Sequence, residues 1–106
     1  TIKGFSDASG IMRSEWEYEI PLSDAKDMLQ LCEQGIIRKR RYLVKVADHT
    51  FEVDEFLEEN LGLVMAEVEL AELNENVELP DWIGKEVTGD KRYYNSYLSR
   101  KPYTTW

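Results

Sequence analysis

The sequence contains one cysteine, Cys32, and one histidine, His49. A single thiol permits no internal disulfide, so packing and hydrogen bonds must hold the fold, and a reducing, cytoplasmic setting is the simpler expectation. His49 has no second His or Cys at ligand spacing and reads as an ordinary turn residue, with Cys32 a packing residue. No apolar run is long enough to span a bilayer and no basic-then-apolar leader opens the chain, so no membrane partner is expected. Cations are also scarce: 13 Lys and Arg against 21 Asp and Glu leave a formal net charge of −8. A field of that sign works against general binding of nucleic acid, so any anion site must be a local basic cluster. The Gly-rich P-loop is missing, which excludes the common backbone cradle for triphosphates. Internal repeats and low-complexity tracts are missing too.

What is present suits one small domain. A chain of 106 residues, 42% of them hydrophobic, can bury one core. Thr1-Ile2-Lys3-Gly4 opens without Met and reads as the tail of a strand entering a turn at Phe5 to Gly10, so residues 1–106 are expected to be a single partial domain. From Met12 to Ile20 polarity alternates with period two, with Arg13, Glu15, Glu17 and Glu19 on one side and Met12, Trp16, Tyr18 and Ile20 on the other. Pro21 stops this strand. Ser23 is placed to cap a short amphipathic helix carrying Ala25, Met28, Leu29 and Cys32, which Gly35 ends.

Ile36 to Val46 is rich in β-branched and aromatic residues around Arg38-Lys39-Arg40-Arg41, which predicts a strand with Lys39 and Arg41 on one face and Arg38 and Arg40 on the other. Ala47-Asp48-His49-Thr50 reads as a hairpin turn, and Phe51 to Leu57 as a strand in which Glu52 and Asp54 oppose Phe51 and Val53. Leu63 to Leu70 forms another strand, with Glu67 and Glu69 on the face of Leu63 and Met65. An acidic loop, a helical turn at Pro80-Asp81-Trp82-Ile83 and a helix over Asp90 to Leu98 complete the chain, with Asp90 as N-cap and Tyr93 and Tyr94 as packing residues. The fold class is therefore α+β: an antiparallel sheet, a short helix between strands and a C-terminal helix.

Successive strands carry i, i+2 pairs of alternating sign: Glu15 and Glu17, Lys39 and Arg41, Glu67 and Glu69. Projected from one face of a curved sheet, such cations hold phosphate oxygens and such carboxylates hold a hard divalent ion. The same pattern also describes the solvated face of an ordinary sheet. Two features favour enclosure of the charged face: Glu67 and Glu69 share it with Leu63 and Met65, and the Trp16 and Tyr18 face is too apolar to be the exposed one.

Six segments, in order, resemble the motifs of the CYTH superfamily of triphosphate tunnel metalloenzymes: Ile2-Lys3-Gly4, Arg13-Ser14-Glu15-Trp16-Glu17, Lys39-Arg40-Arg41-Tyr42, Phe51-Glu52-Val53-Asp54, Ala66-Glu67-Val68-Glu69-Leu70, and Glu86 through Asn95. The resemblance covers the last two-thirds of that domain, without its Glu-x-Glu-x-Lys and Arg-x-Arg strands. It implies an eight-stranded antiparallel tunnel barrel that binds a triphosphate-containing small molecule with magnesium or manganese. Carried over by position, Lys3, Arg13, Lys39 and Arg41 are phosphate ligands, with Arg13 also placed to bridge across the tunnel. Glu67, Glu69 and Asp54 form the metal set, and Glu15 and Glu17 are the acidic pair that binds metal or orients the attacking water. The implied activity is hydrolysis of inorganic tripolyphosphate. Adenylyl cyclase and thiamine triphosphatase chemistry remain open alternatives, as does a non-catalytic module that binds polyphosphate or forms a homo-oligomer through open sheet edges. Without the further strands, this chain alone is expected to be inactive or nearly so.

Overall fold

The computed structural model describes residues 1–33 and 35–106. In chain order the elements are β1 (Ile2–Ser6), β2 (Arg13–Trp16), α1 (Leu22–Gln30), β3 (Lys39–Val46), β4 (His49–Phe56), β5 (Val64–Glu67) and α2 (Asn95–Leu98), with 3₁₀ turns at Glu58–Asn60, Lys91–Tyr93 and Tyr103–Thr105. The strands form two antiparallel sheets, β1-β2 and β3-β4-β5. This is the expected α+β arrangement. Among the described residues the two sheets share no strand pairing, so closure into a barrel is not seen.

The β3-β4 hairpin is the frame of the molecule. Its eight pairs run from Lys39↔Phe56 to Val46↔His49. The connection is two residues, Ala47-Asp48, with Ala47 at φ +52°, the positive value that lets a tight turn match the twist of its strands. The four-residue turn expected over Ala47 to Thr50 is therefore corrected, and His49 opens β4 rather than lying in a loop. β5 pairs with β4 from Glu52↔Glu67 to Glu55↔Val64. Directly paired residues project to the same side. One face thus carries Lys39, Arg41, Asp54, Glu52, Met65 and Glu67, and the other Tyr42, Val44, Val53 and Phe51.

Phe56, Leu63 and Leu98 are buried together, with Ile37, Met65, Tyr93 and Tyr103 packed against them. The C-terminal segment is tied down where the Asn60 side chain accepts from the Tyr103 amide at 2.8 Å and Thr104 Oγ1 donates to the Glu59 carbonyl at 2.7 Å. Trp106 meets Tyr93 edge-on, with ring centroids 5.2 Å apart. On the opposite face Phe51 packs edge-to-face with Trp82 at 5.7 Å.

Several expected boundaries shift. The strand expected over Met12 to Ile20 pairs only across Arg13–Trp16, because Trp16 faces Ile2 and residues 17–20 find no strand to bond to. Trp16 and Tyr18 are 49% and 73% exposed, which corrects the reading that their face is covered. α1 starts after Pro21 with no side-chain cap, so Ser23 lies inside the helix, and the helix stops at Gln30, short of Gly35. The helix expected over Asp90 to Leu98 breaks at Tyr94, whose ψ of 144° is extended. Asp90 does cap its first turn, accepting from the Arg92 amide at 3.1 Å. The third sheet strand ends at Glu67, leaving Glu69 beyond it.

The β1-β2 hairpin docks on the segment before α2. Ser6 Oγ and Tyr94 Oη lie 3.3 Å apart, and the Arg13 guanidinium sits 4.8 Å from the Tyr94 ring centre. The approach is tightest at Gly10, whose φ is +76° and where an added Cβ would lie 2.3 Å from Gly89 Cα. Gly10→Ala should therefore cost about 1–3 kcal/mol through strain and overlap. A lower urea midpoint together with faster amide exchange in β1 would show it, and an unchanged midpoint would contradict the docking. Among the described residues no helix is long and apolar enough to cross a membrane.

Candidate functional site

The charged face of the three-stranded sheet assembles around Asp54, which is 1% exposed. Register places it directly opposite Arg41 and two pairs from Lys39, on the same face. Lys39 Nζ donates to Oδ2 at 2.6 Å, and Arg41 donates from Nε to Oδ1 at 2.7 Å and from Nη2 to Oδ2 at 2.8 Å. A buried carboxylate is tolerated only when paired and hydrogen-bonded, and here two cations meet that requirement. Burial pushes the Asp54 carboxyl up, but the hydrogen bonds and charges of Arg41 and Lys39 outweigh it and hold the group below its ordinary value. Arg41 is held above its ordinary value, first by its hydrogen bonds to Asp54 and, against the effect of burial, by the charges of Asp54, Glu52 and Glu67.

The structure thus brings Lys39, Arg41, Asp54 and Glu67 to one face, as the alternation implies. It adds Glu52, which sequence reasoning placed on that face without a role. Glu52 Oε2 lies 2.5 Å from Arg41 Nη1, and the residue faces Glu67 across the β4-β5 pair. Its position two residues from Asp54 on the same strand was the available signal.

Other expected site residues lie elsewhere. Lys3 and Glu15 pair on the separate β1-β2 sheet, with Nζ 3.8 Å from Oε1. Arg13 is stacked on Tyr94. Glu17 follows β2 and Glu69 follows β5, and both are exposed. His49 Nε2 lies 3.1 Å from Glu75 Oε2, tying the acidic loop to β4.

A divalent metal fits these residues poorly. A hard cation takes six or more oxygen ligands. Both Asp54 oxygens are already committed to Lys39 and Arg41. Among the described residues no group of three or more His, Cys, Asp or Glu side chains is arranged to hold a metal. Asp54 is here an anchor for two cations, not a free donor beside Glu67 and Glu69.

The chain is 54% identical over 104 residues to a protein of Acetivibrio thermocellus named inorganic triphosphatase, an alignment covering 97% of this chain and 65% of that relative. It is 35% identical over 95 residues to a protein of Nitrosomonas europaea with the same name, covering 85% of this chain and 62% of the relative. The chain therefore spans less than two-thirds of the length of either curated relative. No solved structure matches it. The model of the CYTH domain family matches residues 1–97, in keeping with the order of the charged strands, and the chain belongs to that family.

Proposed function

We propose that this chain supplies the anion-binding sheet of a triphosphate hydrolase acting on inorganic tripolyphosphate. The observation that carries the reading is the pair of cations, Lys39 and Arg41, held side by side by one buried carboxylate. Anchoring by Asp54 fixes the two positive groups before a ligand arrives, so little ordering cost remains when phosphate oxygens bind. The names of the two relatives support the same substrate class. The match over residues 1–97 supports treating residues 1–106 as one partial CYTH domain, whose sheets close into the family's tunnel when further strands are supplied.

In this reading Lys39 and Arg41 hold the phosphoryl oxygens and stabilise the negative charge that builds on them as water attacks the terminal phosphorus. Lys3 and Arg13 add cations from the second sheet, and Glu15 or Glu17 orients the water. Magnesium or manganese is the expected cation, and the described residues of this chain do not by themselves form its site. No step is assigned to the ion on the residues present. The setting we propose is the cytoplasm. Because the Lys3-Glu15 sheet and the Lys39-Arg41 sheet share no strand pairing among the described residues, the chain by itself should hydrolyse tripolyphosphate slowly or not at all.

The test compares phosphate release from tripolyphosphate by the chain alone and by a version completed with the remainder of the Acetivibrio thermocellus relative. The completed protein should be active, and Arg41→Ala in it should lower kcat/KM about 100-fold, the scale of two lost charge-assisted contacts to phosphate. Full activity in that variant would remove the reading. Incubation with ATP separates hydrolysis from cyclisation by its products. The outer edges of β3 and β5 are unpaired among the described residues, which favours a second reading as a non-catalytic polyphosphate-binding module that self-associates. Sedimentation as a monomer that binds no polyphosphate would exclude it.

A further inference from the structure

Arg41 has five N–H donors. Asp54 takes one from Nε and one from Nη2, so the remaining fork, Nη1 with the second hydrogen of Nη2, is the edge of the guanidinium that can accept a phosphate in bidentate fashion. That edge is not empty of charge, because Glu52 Oε2 sits 2.5 Å from Nη1. We infer that Glu52 is a built-in anion that holds the phosphate-accepting edge of Arg41 closed, so that only a ligand of higher charge density displaces it. The inference rests on the reading of Arg41 as a phosphate ligand and adds a specificity-determining residue to it.

The two carboxylates on Arg41 differ in the way this role requires. Asp54 has side-chain exposure of 2% and also holds Lys39, so it stays in place. Glu52 is 31% exposed beside an Arg41 that is 43% exposed, and ion pairs at such depth contribute little net stability. Glu67, directly opposite Glu52, repels it and lowers the cost of leaving Arg41. A carboxylate brings one negative charge, as does a singly charged anion, and the exchange gains nothing. A tripolyphosphate brings several charges and several acceptor oxygens, reaching Arg41 and Lys39 together. Glu52 therefore selects polyanions over monoanions at the same cation pair.

The experiment is calorimetric binding of tripolyphosphate, without divalent metal, to the 106-residue chain and to Glu52→Gln, Glu55→Gln and Arg41→Ala. Glu55 pairs with Arg40 on the opposite face, so its variant removes the same charge without touching Arg41. Glu52→Gln should bind about tenfold tighter, the scale of one charge-assisted contact, and Glu55→Gln should stay within about twofold. A folded Glu52→Ala, checked by circular dichroism, should show the same gain. Equal gains in the Glu52 and Glu55 variants, or no gain at Glu52 while Arg41→Ala weakens binding, would overturn the gate and leave the phosphate role of Arg41 intact. Absence of binding in all five proteins would overturn both.

Discussion

Replacing Asp54 by alanine is expected to destabilise the protein by about 2–4 kcal/mol, read as a lower urea midpoint at neutral pH. The loss is large because the carboxylate is the common partner of two cations on one sheet face. Its removal leaves Lys39 without its carboxylate and Arg41 with Glu52 alone, and the partial access of both cations to water keeps the cost below that of a fully buried charge. Asp54→Asn tests charge apart from shape and should recover little of the loss. A variant with wild-type stability would show that the triad does not form.

The pH dependence follows from the same pair. The folded carboxyl of Asp54 is held below its ordinary value, so between the folded and unfolded values the unfolded chain binds more protons and stability rises with pH. The contribution is complete above the unfolded value, near pH 4, and is lost as pH falls through the folded value. Urea midpoints measured from pH 7 down to pH 2 should fall steeply below about pH 4 in the wild type and less steeply in Asp54→Asn. Parallel profiles would exclude Asp54 as the source of the acid sensitivity.

Leu98→Ala should cost about 2–5 kcal/mol, a large part of the stability expected for a domain of this size. Leu98 is 0% exposed and packs on Phe56 and Leu63, so it closes a buried cluster that joins the C-terminal segment to the sheet. The cavity left by its truncation cannot collapse easily, because the hydrogen bond from the Tyr103 amide to Asn60 fixes the chain that follows Leu98. Met28→Ala, on the exposed helix α1, should by contrast change stability by less than about 0.5 kcal/mol. Thermal denaturation of the two variants side by side checks both statements.

Period-two alternation made the central strands legible, since residues i and i+2 of any strand share a face whatever its partners. Lys39 with Arg41, and Glu52 with Asp54, could be grouped from the sequence on that ground. Where strands end was less legible. Arg13–Trp16 is shorter than its alternation because a strand persists only where another offers hydrogen bonds, and that depends on residues distant in the chain. The break at Tyr94 is of the same kind: the tyrosine is extended where it meets Ser6 and Arg13 of the other sheet.

The partners of the charged residues were decided by one turn. The four-residue turn read from Ala47 to Thr50 would set Val46 opposite Phe51 and Arg41 opposite Phe56, whereas the two-residue turn Ala47-Asp48 sets Arg41 opposite Asp54. Both arrangements keep the same residues on the same face, because the registers differ by two. The sequence by itself determined the α+β class, the grouping of charged residues at i and i+2 within each central strand and the family resemblance, all of which follow from local periodicity and order along the chain. Only the tertiary structure decided that Asp54 anchors Lys39 and Arg41, and that Glu52 lies against the remaining edge of Arg41. Those pairings depend on cross-strand register, which hydrogen bonds between separated segments set and which no local pattern encodes.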